Sequence, residues 1–409
     1  MTPAPANSEP HDRDVPPVDR IELRRLALPL VEPMRAGHGT TSVRELTVVG
    51  LRSGAVWGWG ECAALPEPSY TPEWAAGAFE VLSRWLSADH DPTTALTARW
   101  HQATLDPETR SPESGANPMA LAALEMAVLD LRLTVAERTL ADWIGACHTS
   151  VPAGATLGLM PAPQAVARAE QLARAGYRRI KVKTEPGSDV EVMSALTRAA
   201  TRFDRDISWQ IDGNGVYGPS DRDRLLELAE LGVSVLEQPY PAVRPDLAAD
   251  LIRALSQRGL DTVVMADEAA VDAPTIAHLI SSGAANAITV KPSRLGGLAA
   301  AVAVLELCRR LGTPVAAGGM IESGLGRHAL AAVAARPECS IIGDLSPARR
   351  WLSHDPWPDL DTVAPSPHNV AEGRGDDRGL RLRVPTGPGV APPPDPDILE
   401  RHTEAVIVR

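Results

Sequence analysis

The sequence predicts an α/β chain: a parallel (β/α)8 barrel that follows an α+β domain. Three observations predict it. From residue 151 onward, eight short apolar segments alternate with helical stretches. From the second segment on, their ends fall at 183, 212, 237, 267, 291, 318 and 343, in steps of 24–30 residues. Each step suits a strand, a helix and two short loops. Finally, Lys183, Asp212, Glu237, Asp267 and Lys291 stand at five successive segment ends, where a βα barrel carries its chemistry. An open doubly wound sheet is the alternative, but no G-x-G-x-x-G opens a helix after the first strand.

The elements follow in chain order. Residues 1–19 are rich in Pro and acid, lack a hydrophobic signal region, and read as a disordered tail. Residues 20–150 form the α+β domain. Within it, apolar runs 46–51 and 56–59 flank Arg52-Ser53-Gly54-Ala55, a turn in which Gly supplies positive φ. From 72 to 145 the pattern is helical, and Ala122, Met126, Leu129 and Leu133 mark one face of a helix. Residues 151–348 form the barrel. Its strands are expected at 155–159, 179–183, 208–212, 233–237, 262–267, 287–291, 314–318 and 340–343. Residues 349–409 are Pro-rich and irregular, with a flexible insertion expected around 366–377, and are expected to pack back onto the first domain.

Composition sets the outer bounds. The chain has 409 residues, 44% apolar and 22% charged, with a formal net charge of -12. That balance argues against a nucleic-acid partner, which needs a basic surface. No run approaches the ~18–20 apolar residues of a membrane helix. Cys62, Cys147, Cys308 and Cys339 are scattered without C-x-x-C spacing, so neither a zinc ribbon nor a disulfide framework is indicated, and a cytoplasmic location is expected.

Of the 40 Lys and Arg residues only three are lysine: Lys181, Lys183 and Lys291. Arginine stays protonated at any accessible pH, whereas lysine loses its proton when burial or nearby cations disfavour the charge. All three lysines fall at expected strand ends. Side chains alternate along a strand, so Lys181 and Lys183 share one face and Ile180 and Val182 the other. If the apolar pair packs under the helices, both lysines turn inward. Gln210 and Asp212 sort the same way against Trp209 and Ile211, as does Glu237 against Leu236.

Asp212, Glu237 and Asp267 would then converge from three adjacent strands. Three carboxylates so close need neutralising. A hard divalent cation does this, and Mg²⁺ prefers oxygen ligands. A salt-bridge cluster closing the barrel is the structural alternative. Asn214 is placed to orient a ligand or a bound water. Lys183 and Lys291, from the second and sixth strands, face each other across the barrel and suit proton abstraction beside a metal-held carboxylate. Lys181 is the auxiliary like charge beside Lys183. Gly296-Gly297 reads as tight loop packing rather than a phosphate-binding helix start.

The ordered motifs K-x-K, D-x-N, E-Q-P, D-E, K-P-x-R-x-G-G and G-G-M-I-E-S-G resemble the enolase superfamily. Within it the chain is similar to the muconate-lactonizing subgroup, and there to the o-succinylbenzoate synthase / N-succinylamino acid racemase family. Further matching pieces are Arg35 to Leu46 (RAGHGTTSVREL), Gly58-Trp59-Gly60-Glu61-Cys62 and Val384-Pro385-Thr386-Gly387-Pro388-Gly389. The resemblance implies a modified (β/α)8 TIM-type barrel under an α+β capping domain built from the N-terminal part and the C-terminal tail. It implies Mg²⁺, with Mn²⁺ as an alternative ion, on Asp212, Glu237 and Asp267, and Lys183 and Lys291 as the acid/base pair. Arg35, His38, Asn214, Met320 and Ile321 would meet the substrate. The implied activity is syn dehydration to 2-succinylbenzoate, racemisation of N-succinyl or other N-acylamino acids, or both, by a homo-oligomer acting on a small-molecule carboxylate. The chain departs from the family pattern at Met34, His38, Leu330 and Gly343-Asp344-Leu345-Ser346. The alternatives are a muconate-type cycloisomerase and a non-catalytic barrel that binds a small acid.

Overall fold

The computed structural model describes residues 17–36, 39–87, 91, 92, 94, 117–203, 206–363 and 379–409. The expected tail up to residue 16, the expected insertion at 366–377 and His38 lie outside the described residues.

The first domain is built on an antiparallel sheet of β1 (Arg20–Ala36), β2 (Gly39–Ser53) and β3 (Val56–Cys62). Ser53 pairs with Val56, so Gly54 and Ala55 form a two-residue turn, with Gly54 at φ 60°. Among the described residues two helices cover the sheet, α1 (Ala75–Trp85) and α2 (Pro118–Val135). The motif at β3 explains how α2 docks. A Cβ on Gly60 would lie 1.9 Å from the Ala123 carbonyl oxygen, and one on Gly58 would lie 2.4 Å from that of Ala127. Only bare backbone lets the helix come this close.

Helix α2 is buried more completely than its sequence pattern announces. Met126, Leu129 and Leu133 join the core shared with the barrel. Leu121, Leu124, Val128 and Leu131 join a second core under the sheet. The helix sits between two cores, so it carries two apolar faces rather than one.

A short helix, α3 (Leu140–Ile144), leads to β4 (Ser150–Pro152) and then to the barrel. Seven strands form one parallel sheet: β5 (Gly154–Leu157), β6 (Arg179–Lys183), β7 (Ser208–Asp212), β8 (Val233–Glu237), β9 (Val263–Ala266), β10 (Ala287–Val290) and β11 (Val315–Ala317). Helices α4 (Ala162–Arg174), α5 (Asp189–Ala200), α6 (Arg222–Glu230), α7 (Pro245–Gln257) and α8 (Ala273–Ser281) join successive strands, followed by α9 (Pro292–Leu295), α10 (Leu298–Leu311) and α11 (Gly324–Ala334). Ile180, Val182, Trp209, Ile211 and Leu236 pack with helix residues such as Leu196, Leu225 and Leu251. Their strand neighbours therefore point into the barrel.

The eighth expected strand, 340–343, is not a regular strand. It makes one isolated bridge, Ile341 to Ala316. The ring still closes by backbone hydrogen bonds. Ile341 and Asp344 donate to Val315 and Ala317 on one side, both at 3.0 Å, and Gly154 donates to Leu345 on the other at 2.9 Å. The segment spends three residue steps where β11 spends two, which breaks the ladder in the manner of a bulge. Glycine permits this closeness: a Cβ on Gly343 would lie 2.0 Å from the Ala317 carbonyl oxygen.

The C-terminal segment adds strands to two sheets. β12 (Thr362–Val363) pairs antiparallel with β13 (Arg381–Arg383), which pairs in turn with β4. After α12 (Pro396–Arg401), β14 (Thr403–Val408) pairs antiparallel with β1. All four cysteines are free. Among the described residues, no helix is long and apolar enough to cross a membrane.

Candidate active site

Three inward-facing residues of β6 set three polar layers inside the barrel. At the lowest, Arg179 donates to Gln210 at 2.8 Å and pairs with Asp344 at 2.5 Å. In the middle, the Lys181 ammonium lies 3.0 Å from Glu237 and 3.2 Å from Asp212 and also bonds Asp344. At the top, Lys183 donates to Asp212 at 2.7 Å and to Asn214 at 2.8 Å. Burial works against the charge on Lys181, but Asp344, Glu237 and Asp212 outweigh it and hold the ammonium well above its usual range. Lys181 thus meets carboxylates on several sides, more than the lone neighbour of Lys183 that its spacing suggests.

Lys291 follows β10 directly. It donates to Asp267 at 2.7 Å and to the Tyr70 hydroxyl at 2.8 Å. Arg294, one turn on, also holds Asp267, at 2.5 Å. Burial opposes the Asp267 charge, yet Lys291 and Arg294 keep its carboxyl well below the usual range. Asp212 is likewise held low by Lys183 and Lys181 against its burial. Glu237, wholly buried, is pushed up to about 8, and Lys181 offsets that only in part.

Asp212, Glu237 and Asp267 are the group of described residues able to hold a metal ion, with one oxygen from each within 4.8 Å of the others. All three donors are carboxylate oxygens, the set that a hard divalent cation such as Mg²⁺ takes. The strand-end turns hold this cluster under strain. Asn214, Gln238 and Ile321 all adopt positive φ, at 44°, 36° and 56°, which is costly for a residue with a Cβ, above all a β-branched one. Each turn is tied down. Asn214 donates its N–H to Asp212 at 3.0 Å and its side-chain amide to Glu268 at 2.8 Å. The Gln238 side-chain oxygen accepts the N–H groups of Asp267 and Ala269 at 3.0 and 3.1 Å. The Ile321 carbonyl accepts from Arg44 at 3.2 Å.

A cavity of about 90 Å³ lies over the cluster. Lys181, Lys183, Asp212, Asn214 and Lys291 line it, with Met320 and Ile321 above. Arg35 is not in this cavity: it is exposed and lines a larger outer cleft of about 790 Å³. Met34, Thr156, Lys183 and Trp351 line both, so the two spaces adjoin. Sequence reasoning did not single out Tyr70 or Asp344. Asp344 ends the eighth barrel segment and falls under the same strand-end rule as the others. Tyr70 comes from a loop of the first domain, where no periodicity marks it. Gly296-Gly297 does open a helix, but its anion is internal: Leu298 and Ala299 donate their N–H groups to the buried Glu125 carboxylate at 2.6 and 2.8 Å.

Comparison with known proteins adds a second line of observation. The model of the enolase C-terminal domain-like family matches residues 164–398. An N-succinylamino acid racemase from an Amycolatopsis species is 36% identical over 388 residues, 95% of this chain and 98% of that protein. An o-succinylbenzoate synthase of Bacillus subtilis is 31% identical over 83% of this chain and 87% of its own. A crystal structure of an enolase superfamily member from Listeria innocua superposes with a TM-score of 0.79 at 26% identity, covering 96% of this chain and 98% of that one.

Proposed function

Because the chain belongs to the enolase superfamily, in its o-succinylbenzoate synthase / N-succinylamino acid racemase family, we propose that it moves the α-proton of a small carboxylate substrate between Lys183 and Lys291. The overall reaction is racemisation of an N-succinyl or other N-acylamino acid, dehydration to 2-succinylbenzoate, or both. One observation carries this reading. Lys183 and Lys291 line one small cavity, each bonded to a different carboxylate of a buried triad.

Asp212, Glu237 and Asp267 would hold a Mg²⁺ ion, or Mn²⁺ in its place. Such an ion, when bound, supplies positive charge against which a carboxylate can become more negative as its α-carbon loses a proton. The chain's own residues do the rest. In racemisation one lysine takes the α-proton from one face, and the other, already protonated, returns a proton to the opposite face. In dehydration one lysine takes the proton and passes it to the departing hydroxyl, so that water leaves and a carbon–carbon double bond forms. The opposite lysine stays cationic and faces the developing negative charge. Tyr70 and Arg294 hold Lys291 and Asp267 in place through the bonds described above, and burial keeps bulk water from the exchange. Asn214, Met320 and Ile321 line the space left for substrate.

The test is solvent exchange. N-succinylamino acids of both hands are incubated in D₂O with Mg²⁺ and the α-proton is followed by NMR. Deuterium is expected to enter both enantiomers, with racemisation. Dehydration is read separately as the aromatic absorbance of 2-succinylbenzoate. Neither exchange nor dehydration would leave the cycloisomerase or the non-catalytic barrel in its place.

A further inference from the structure

Arg350 stands just outside the catalytic cavity with no carboxylate of its own. It ends a helical turn, Ala348–Arg350, directly after the segment that closes the barrel. One guanidinium nitrogen, Nη2, donates to the Thr156 carbonyl at 2.7 Å. The other, Nη1, is buried and makes no hydrogen bond. Among the described residues no carboxylate lies within 4.0 Å of it. Two other arginines of the same cleft are paired, Arg349 with Asp359 at 2.7 Å and Arg168 with Glu32 at 2.5 Å, while Arg35 is exposed on its rim. Arg350 instead lies over the rings of Trp351, 4.5 Å from the ring centre, and Tyr177, at 5.8 Å.

A guanidinium with one nitrogen kept from water and no counter-ion beside it is costly. Aromatic faces return part of that cost. Burial draws the group down to about 10; Arg327 and Arg168 push the same way, and Tyr177 and Asp344 oppose them only in part. The site therefore favours an incoming anion. Its position says which one can arrive. Arg350 lines the outer cleft, and two of its direct neighbours, Thr156 and Trp351, also line the catalytic cavity. A substrate whose reacting carboxylate lies at the triad would have to run past these two residues to leave a second charge at Arg350.

We propose that Arg350 is a specificity-determining residue that binds the terminal carboxylate of a dicarboxylic acyl chain, the end of the substrate remote from the reacting carbon. A planar guanidinium with an unpartnered nitrogen suits a carboxylate. The inference rests on the proposed function, and it selects substrates with a second carboxylate over neutral acyl chains. Succinyl groups, which appear in the names of both relatives above, carry such a carboxylate.

The experiment compares N-succinyl-phenylalanine with its terminal amide, a neutral analogue of the same shape, by exchange and racemisation kinetics. Wild type is expected to favour the acid through a lower KM. Arg350→Gln is expected to lower the acid-to-amide ratio of kcat/KM about ten-fold or more, and Arg350→Lys to restore part of it. A wild type that turns over both compounds equally well overturns the role of Arg350 and leaves the proposed function standing, and that result needs no variant. An unchanged ratio in Arg350→Gln overturns it as well. A wild type that turns over neither compound overturns the proposed function first, and the inference with it.

Discussion

Arginine in place of Lys183 or Lys291 separates charge from proton transfer. Lys183→Arg and Lys291→Arg keep a cation beside Asp212 and Asp267, but a guanidinium does not give up its proton at accessible pH. If the lysines serve only to neutralise the triad, the arginine variants should work. If they carry protons, racemisation should fall by about 10³-fold or more, a barrier increase of about 4 kcal/mol. The structure also says what the alanine variants do to stability. Lys183→Ala leaves Asp212 with Lys181 at 3.2 Å and the Asn214 N–H at 3.0 Å. Lys291→Ala leaves Asp267 with Arg294 at 2.5 Å and Tyr70 at 3.2 Å. Neither strands a buried carboxylate, so the loss should stay near 1–2 kcal/mol, below the ~3–5 kcal/mol of an abandoned buried charge. The assay pairs thermal melting with enantiomer-resolved deuterium exchange. Each variant should lose exchange with one enantiomer and keep it with the other, because the remaining lysine still serves its own face. Arginine variants that retain more than about a tenth of wild-type racemisation would refute the reasoning.

Three further outcomes follow from the geometry. Asp212→Asn removes a charged oxygen from the triad and should weaken Mg²⁺ binding at least about ten-fold by isothermal titration, whereas an unchanged affinity would remove Asp212 from the ion site. Gly60→Ala drives a Cβ to 1.9 Å from a helix carbonyl and 2.6 Å from the Ala127 nitrogen. It should cost about 3 kcal/mol or more in a denaturant melt, while Gly387→Ala, with open space around it, should cost almost nothing. Stability should also fall as pH rises from about 5 to 8. Burial pushes Glu73 up to about 8 and Glu61, Glu125 and Asp130 to about 7, against about 4 in an unfolded chain. The folded state then binds the extra protons across that window, so its advantage is full below it and is lost through it, at up to about 1.4 kcal/mol per pH unit for each group. Urea melts at pH 5.5 and 8 measure the slope, Glu73→Gln should flatten it, and a slope of opposite sign would reject the assignment.

Period and strand ends carried most of the barrel into the sequence. The triad and both lysines lie where alternation along β6, β7 and β8 and the starts of the following loops put them. The eighth segment was harder to read. Its apolar run looks like the others, but Gly343 lets the backbone approach Ala317 and Gly154 so closely that pairing slips out of register, and no local pattern records that. In helix α2 the spacing of Ala122, Met126, Leu129 and Leu133 marks one stripe from the sequence. The second stripe, largely of alanine and leucine, became visible only with the sheet in place. Tyr70 was invisible for a different reason. It reaches Asp267 and Lys291 from about 200 residues away in sequence, and nothing local to its loop encodes a partner so distant.

The same remoteness explains why the first domain is part of the site and more than a cover. In β3 the residues alternate between two duties. Gly58 and Gly60 face helix α2 and let it dock, while Trp59 packs into the core shared with the barrel. Glu61, on the Trp59 side, accepts the Ser323 N–H at 3.2 Å and bonds its hydroxyl. One step earlier in that loop, the Glu322 carboxylate accepts the Met320 N–H at 2.6 Å, and Arg327 donates to the Glu322 carbonyl at 3.1 Å. Arg44 of β2 holds the Ile321 carbonyl while it also bonds the carbonyls of Ala63 and Ala64. Ile321 would not keep a φ of 56° unaided, since a β-branched residue pays for that conformation. Its neighbours fix it from both domains, and Met320 and Ile321 thereby form one wall of the cavity over the triad. The G-W-G-E run and the G-M-I-E-S run are thus two halves of one device, joined by a carboxylate and a serine that lie 262 residues apart.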